Sequence, residues 1–217
     1  MALTTTTGDV SATIQQVGEL YADNLREHGC NSKSVGWKDA ESQTLRFDKL
    51  AEVILPAHRS GGFTCNDWGC GYGAMLDYLQ QRSDLTLNRY YGYDISPEMI
   101  AAARSTPRNR AEFIEAPLPT QLADYTFVGG TFNVRFQSSD AVWADYVRQS
   151  LCDLWKKTRQ GLAFNLLTTF VDWRAEDLFY ADPAEFFTFC RRNLSRYVTL
   201  LHDYTLYEWT ILVRREP

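Results

Sequence analysis

Apolar residues along this 217-residue chain recur at two different periods, and the change falls near residue 60. Between Ser11 and His28, Ile14, Val17, Tyr21 and Leu25 follow at spacings of three and four, the stripe of an amphipathic helix that Gly29 is suited to stop. After a polar turn over 30–36, Asp39 can cap a second helix that carries Leu45, Leu50, Val53 and Ile54 inside and ends near Pro56. From Phe63 onward, short apolar runs alternate with helical stretches. The runs predict strands at Phe63–Trp68, Arg89–Tyr93, Ala111–Ile114, Tyr125–Val128 and Gly161–Leu167. The last of these is almost unbroken apolar, as befits a strand covered on both faces. Helices are predicted over Ala74–Arg82 and after three start signals: Ser96-Pro97-Glu98, Ser139 and Asp182-Pro183. Two β-rich runs, Tyr197–His202 and Leu206–Val213, close the chain at hairpin spacing. The pattern specifies one α/β domain, a doubly wound, mostly parallel sheet with a terminal antiparallel hairpin. Its expected divisions are a disordered tail over 1–9, a helical cap over 10–58 and a core over 59–217.

Composition narrows the class. A hydrophobic content of 45% with 23% charged residues is that of a globular chain able to bury one sizeable core. The net charge of −5 works against binding a phosphate backbone, although Arg191, Arg192 and Arg196 form one local basic group. Five cysteines without CxxC spacing argue against both a disulfide framework and a zinc site, and three histidines leave little for any metal centre. No apolar run reaches membrane-spanning length, and the threonine-rich start lacks the features of a secretory leader, so a cytoplasmic setting is expected. The sequence does not specify an oligomeric state.

The candidate chemistry lies in Cys65-Asn66-Asp67-Trp68-Gly69-Cys70-Gly71-Tyr72-Gly73, with Tyr90-Tyr91-Gly92-Tyr93-Asp94 about twenty residues on. A strand, a glycine-rich turn, a helix and a second strand ending in an acid let main chain approach a nucleoside while a carboxylate holds its ribose. Gly69, Gly71 and Ala74 also fit the dinucleotide fingerprint. Three features point away from hydride transfer: Asp67 before the first glycine, the third glycine at Gly73, and a terminal hairpin in place of a second nucleotide-binding half.

On these residues the chain resembles the class I S-adenosylmethionine-dependent methyltransferases from Phe63 to Pro217. The resemblance implies a seven-stranded sheet whose last strand runs antiparallel. It implies S-adenosylmethionine as cofactor, with Asp67, Gly69, Cys70, Gly71 and Gly73 as the first motif and Asp94 on the ribose hydroxyls. Ile95 and Met99 would flank the adenine, Glu115 and Ala116 would follow the third strand beside it, and Gly130 would lie after the fourth. In related small methyltransferases the leading helices close over the cofactor, which brings in Trp37, with Arg46 for the methionine carboxylate and Gln43 one turn before it.

The acceptor side is less defined. Phe132, Asn133 and Arg135 follow the fourth strand, where Asn133 can hydrogen-bond an acceptor and Arg135 can pair with an anionic one. Asp172, Trp173 and Tyr180 follow the fifth strand, and Tyr21 belongs to the cap. His202 is the one histidine in the last third of the chain, and with Asn133 and Arg135 completes the candidates for catalysis. The reading is metal-independent methyl transfer to oxygen or nitrogen of a small molecule. A protein or tRNA acceptor, and a non-catalytic cofactor-binding scaffold, are its alternatives.

Overall fold

The computed structural model describes residues 7–217. Helix α1 (Thr7–His28) begins inside the segment expected to be a tail; the rest of that tail, 1–6, lies outside the described residues. Its stop is Gly29, at φ +70°, a left-handed conformation that glycine adopts at little cost. The following turn is not wholly irregular: Ser32–Val35 form a 3₁₀ turn, closed by Gly36. Helix α2 (Ala40–Ala51) starts at Asp39, whose carboxylate accepts from Ser42 N–H in a capping box. It ends sooner than predicted. Pro56 opens a separate short helix, α3 (Pro56–Gly61), because its fixed φ and missing N–H suit a first helical position.

Alternation then proceeds as the pattern predicts: β1 (Phe63–Trp68), α4 (Ala74–Gln81), β2 (Leu87–Asp94), α5 (Pro97–Ser105), β3 (Ala111–Glu115), β4 (Ala123–Val128), α6 (Asp140–Lys156) and β5 (Thr158–Thr168). After β5 come a two-residue strand β6 (Tyr180–Ala181), α7 (Pro183–Asn193), β7 (Tyr197–Leu201) and β8 (Glu208–Arg214). The strand order is β3-β2-β1-β4-β5-β8-β7, with β6 pairing on β5 alone. Strands β1 to β5 pair in parallel, and β8 is antiparallel to both β5 and β7. The terminal hairpin is therefore present, and β6 is an addition to the seven expected strands.

Two apolar layers sandwich the sheet. Leu50, Leu76 and Ile100 from α2, α4 and α5 pack with Cys65, Phe127 and Ala163 on one face. Trp143, Val147 and Leu151 from α6 and Phe186 from α7 pack with Trp68, Val128 and Phe164 on the other. Adjacent residues Ala163 and Phe164 enter opposite layers, which is why β5 reads as continuous apolar sequence. One crossover breaks the rule. The chain passes from β3 to β4 over 116–122 without a helix, whereas α4, α5 and α6 cover the other three. Strand order reverses direction at β1 and β4, so the crevice above their carboxyl ends is where a ligand is accommodated in such sheets.

Candidate functional site

At that crevice β1 runs into the glycine turn. Gly69, Gly71 and Gly73 have φ of +78°, +53° and +90°, all left-handed. Gly69 and Cys70 N–H groups both donate to Tyr93 O, at 2.8 and 3.0 Å, and fix the turn against the end of β2. The glycines are also demanded by the protein's own packing. A methyl at Gly69 would collide with the Thr131 side chain, and one at Gly73 would lie 2.9 Å from the Phe113 ring. Backbone conformation and the protein's own packing thus both call for glycine here.

Asp94 ends β2 and faces the turn. Its Oδ2 accepts from Gly71 N–H and its Oδ1 from Ser96 N–H, each at 2.9 Å. Burial raises its pKa, opposed by the Ser96, Gly71 and Ile95 N–H groups. Its charge is met by main-chain dipoles, and each oxygen retains lone-pair capacity. Asp67 lies behind the turn, where burial pushes its pKa up to about 7; the Tyr90 hydroxyl donates to it and opposes the rise, while the Asp94 charge adds to it.

Above Asp94 and the turn is a cavity of about 320 Å³. Nine sequence-selected residues line it: Gly69, Gly71, Asp94, Ile95, Met99, Ala116, Gly130, Trp37 and Tyr21. Helix α1 and the 3₁₀ turn roof it with Ile14, Val17, Tyr21 and Val35. Burial and the nearby Asp94 charge push the Tyr21 phenol up to about 12, so its hydroxyl keeps its proton at neutral pH.

The other selected residues lie elsewhere. Asp67, Cys70 and Gly73 are not among the lining residues. Glu115 is exposed at the end of β3, and its neighbour Ala116 forms the wall instead. Phe132 and Asn133 are buried away from the cavity. Arg135 pairs with Asp140 at 2.7 Å and donates to the Phe136 and Ser138 carbonyls. Asp172 and Trp173 are exposed, and the Tyr180 hydroxyl accepts from Ala175 N–H. His202 is exposed, its ring 6.0 Å from that of Phe170.

Sequence reasoning missed the α6 wall. Tyr146, Gln149, Ser150 and Asp153 line the cavity together with Trp68. They follow at spacings of three, one and three, a second stripe beside the apolar one, and this is the signal that could have found them. They line the cavity opposite α1, which packs against both α5 and α6.

Gln43 and Arg46 stand behind Trp37. Gln43 lies 3.4 Å from the Tyr72 hydroxyl, and both residues are buried. The Arg46 guanidinium lies 3.8 Å from the centre of the Trp37 ring system, and its Nε donates to Glu208 Oε2 at 2.8 Å. Arg46 is therefore already committed within the protein. The Trp37 indole in turn sits so close over Gly130 that a methyl there would overlap it.

A family profile described as a methyltransferase domain matches residues 66–161. Rv1506c, a Mycobacterium tuberculosis protein named as a methyltransferase, is 47% identical over 157 residues, covering 70% of this chain and 93% of its own length. Among solved structures, magnesium protoporphyrin IX methyltransferase (ChlM) from Synechocystis PCC 6803, with bound SAM, superposes with a TM-score of 0.64. It is 14% identical, with all of both chains covered. The methyltransferase domain of bacterial CtHen1 superposes at 0.55 with 17% identity, covering 80% of this chain and 98% of that one. At such identities the two structures establish the fold alone.

Proposed function

The chain belongs to the class I S-adenosylmethionine-dependent methyltransferases, and we propose that it methylates oxygen or nitrogen of a small-molecule acceptor without a metal. One observation carries the placement of the cofactor. Asp94 ends β2 at the cavity with its carboxylate held against the glycine turn by Gly71 N–H. The residues fit the group. Asp94 would accept from the ribose hydroxyls, and Ile95, Met99 and Ala116 would flank the adenine. Gly69 and Gly71 would let main chain approach, and Gly130 with Trp37 would bound the methionine side. When bound, S-adenosylmethionine supplies a methyl group already activated on a sulfonium, so the chain has chiefly to align the acceptor and exclude water. The roof of Ile14, Val17, Tyr21 and Val35 suits the second task, and the cap over 10–58 is its source. A roofed but partly open, mostly apolar cavity supports a small acceptor. Five cysteines without a disulfide support a cytoplasmic setting.

Calorimetry with S-adenosylmethionine, its demethylated product and NAD tests the cofactor assignment. The first two should bind and NAD should not; the reverse would overturn the assignment. Mass spectrometry of a metabolite panel incubated with protein and S-adenosylmethionine tests the acceptor. A second reading, a protein or tRNA acceptor, draws on one feature: Phe170, Trp173 and Tyr207 are 69%, 75% and 71% exposed. Exposed aromatics are stacking platforms for bases and anchors for proteins. A salt-sensitive shift of tRNA in a gel would favour that reading.

A further inference from the structure

Two lines of residues lead from the cavity wall at Gly130 toward one buried carboxylate, and the second reaches it by direct contact. The first runs through the sheet. Gly130 N–H donates to Asn165 Oδ1 at 2.8 Å, and Asn165 on β5 is a diagonal same-face neighbour of Glu208 on β8, whose pKa is raised by burial against the opposing effect of Arg46 and Asn165. The second runs over the surface of the wall. Trp37 covers Gly130, the Arg46 guanidinium stacks on Trp37, and Arg46 Nε donates to Glu208 Oε2. Glu208 is fully buried on β8 and does not itself line the cavity.

We infer that Glu208 is a positioning residue, which latches Trp37 over Gly130 through Arg46 and so fixes the wall on the methionine side of the cofactor. This rests on the cavity being the S-adenosylmethionine site. A planar guanidinium can pair along its edge while stacking on its face, so the ion pair dictates the plane on which Trp37 rests. Trp37 lies outside every helix and strand; its N–H donates to the Ser32 carbonyl at 2.9 Å, which ties its main chain to the 3₁₀ turn and leaves the indole to be set by what it packs on. A buried carboxylate without its cation is strongly unfavourable, which holds Arg46 inward. Arg46 Nη1 also donates to the Ser42 carbonyl at 3.0 Å, and released from Glu208 the guanidinium would keep that bond and turn toward the Asp39 charge at the start of α2. The last strand, remote in sequence from the glycine turn, thereby acts on cofactor binding.

The test uses the whole chain and the demethylated product, S-adenosylhomocysteine, as probe. Calorimetry gives its affinity, and acrylamide quenching of tryptophan fluorescence, with Trp37→Phe as the reference, isolates Trp37. Glu208→Gln should weaken the probe about tenfold and leave Trp37 more readily quenched. A merely structural Glu208 would lower Tm without changing the affinity of the folded protein. Affinity within twofold of the parent, or Trp37 no more accessible, overturns the inference. Should Glu208→Gln fail to fold, Arg46→Lys retains the charge but lacks the flat face. It should expose Trp37 to quencher, and unchanged quenching overturns the inference equally. Failure of the parent chain to bind the probe would sink the cofactor assignment instead, while the quenching comparison would still decide the latch.

Discussion

The two sides of the cavity stabilise a buried carboxylate in opposite ways. At the glycine turn, Asp94 is held by N–H groups of Gly71 and Ser96 and, among the described residues, by no cation. At the far wall, Glu208 is held by the Arg46 guanidinium. Main-chain donors are fixed by the turn that supplies them and leave the carboxylate able to accept further hydrogen bonds. A guanidinium neutralises its partner's charge, and here it engages Oε2 alone, while Oε1 is buried within the sheet, away from the cavity. The first arrangement suits a group that must meet a ligand, the second a group that must hold a wall still. The largest expected effect follows directly. Asp94→Ala should weaken S-adenosylmethionine binding by a hundredfold or more, about 3 kcal/mol, since charged hydrogen bonds are worth roughly 1.5–3 kcal/mol each. Affinity retained within a factor of three, measured by calorimetry, would erase the distinction between the two carboxylates.

The far wall can be broken from inside. Gly130 has φ +75°, and a methyl there would overlap the Trp37 indole. Gly130→Ala should therefore cost about 2 kcal/mol of stability from overpacking and left-handed strain together. Much of that cost should vanish when Trp37 is also removed. In urea unfolding, Gly130→Ala added to Trp37→Ala should cost clearly less than when added to the parent chain. Strict additivity would mean that Trp37 does not press on Gly130 in solution.

The same contrast explains what could be read from sequence. The glycine turn and Asp94 come from one strand-turn-helix-strand unit, where local rules of backbone conformation and capping act over about thirty residues. Ser96 at the start of α5 and Gly29 after α1 were legible for the same reason. The far wall joins Trp37, Arg46, Gly130, Asn165 and Glu208, and no short-range pattern links them. Arg46 was selected for the methionine carboxylate, and nothing near it in sequence announces the Glu208 that it pairs with. Tyr146, Gln149 and Asp153 were hidden for another reason. They sit beside the apolar stripe of α6 and read as its solvent side, and it is α1, packed against both α5 and α6, that encloses a cavity beside them.

A smaller effect sharpens the behaviour of the turn. Burial raises the Asp67 pKa to about 7 in the folded chain, above the ordinary carboxylate value of 3.8. Between those values the folded chain keeps a proton that the unfolded chain has released. Stability contributed by this site is therefore complete below about pH 4 and declines as pH rises toward 7. The decline is at most about 1.4 kcal/mol per pH unit, and it levels off above pH 7. Asp67→Asn cannot ionise and should flatten this slope in urea midpoints measured from pH 4.5 to 8. A slope unchanged in the variant would assign the proton to another group, such as Asp94, whose pKa is also raised by burial.

The smallest expected effect marks the limit of the site. Trp173 is three-quarters exposed on the loop after β5 and does not line the cavity. A side chain that touches neither wall nor roof has no route to the adenosyl group except by moving. Trp173→Ala should leave S-adenosylhomocysteine affinity within twofold and Tm nearly unchanged, as for other exposed substitutions of about ±0.5 kcal/mol. The same variant separates the two acceptor readings. If the acceptor is enclosed with the cofactor, turnover of a small molecule should also survive. If turnover of a protein or tRNA collapses while cofactor affinity holds, the exposed aromatics are the docking rim, and the chamber serves the donor alone.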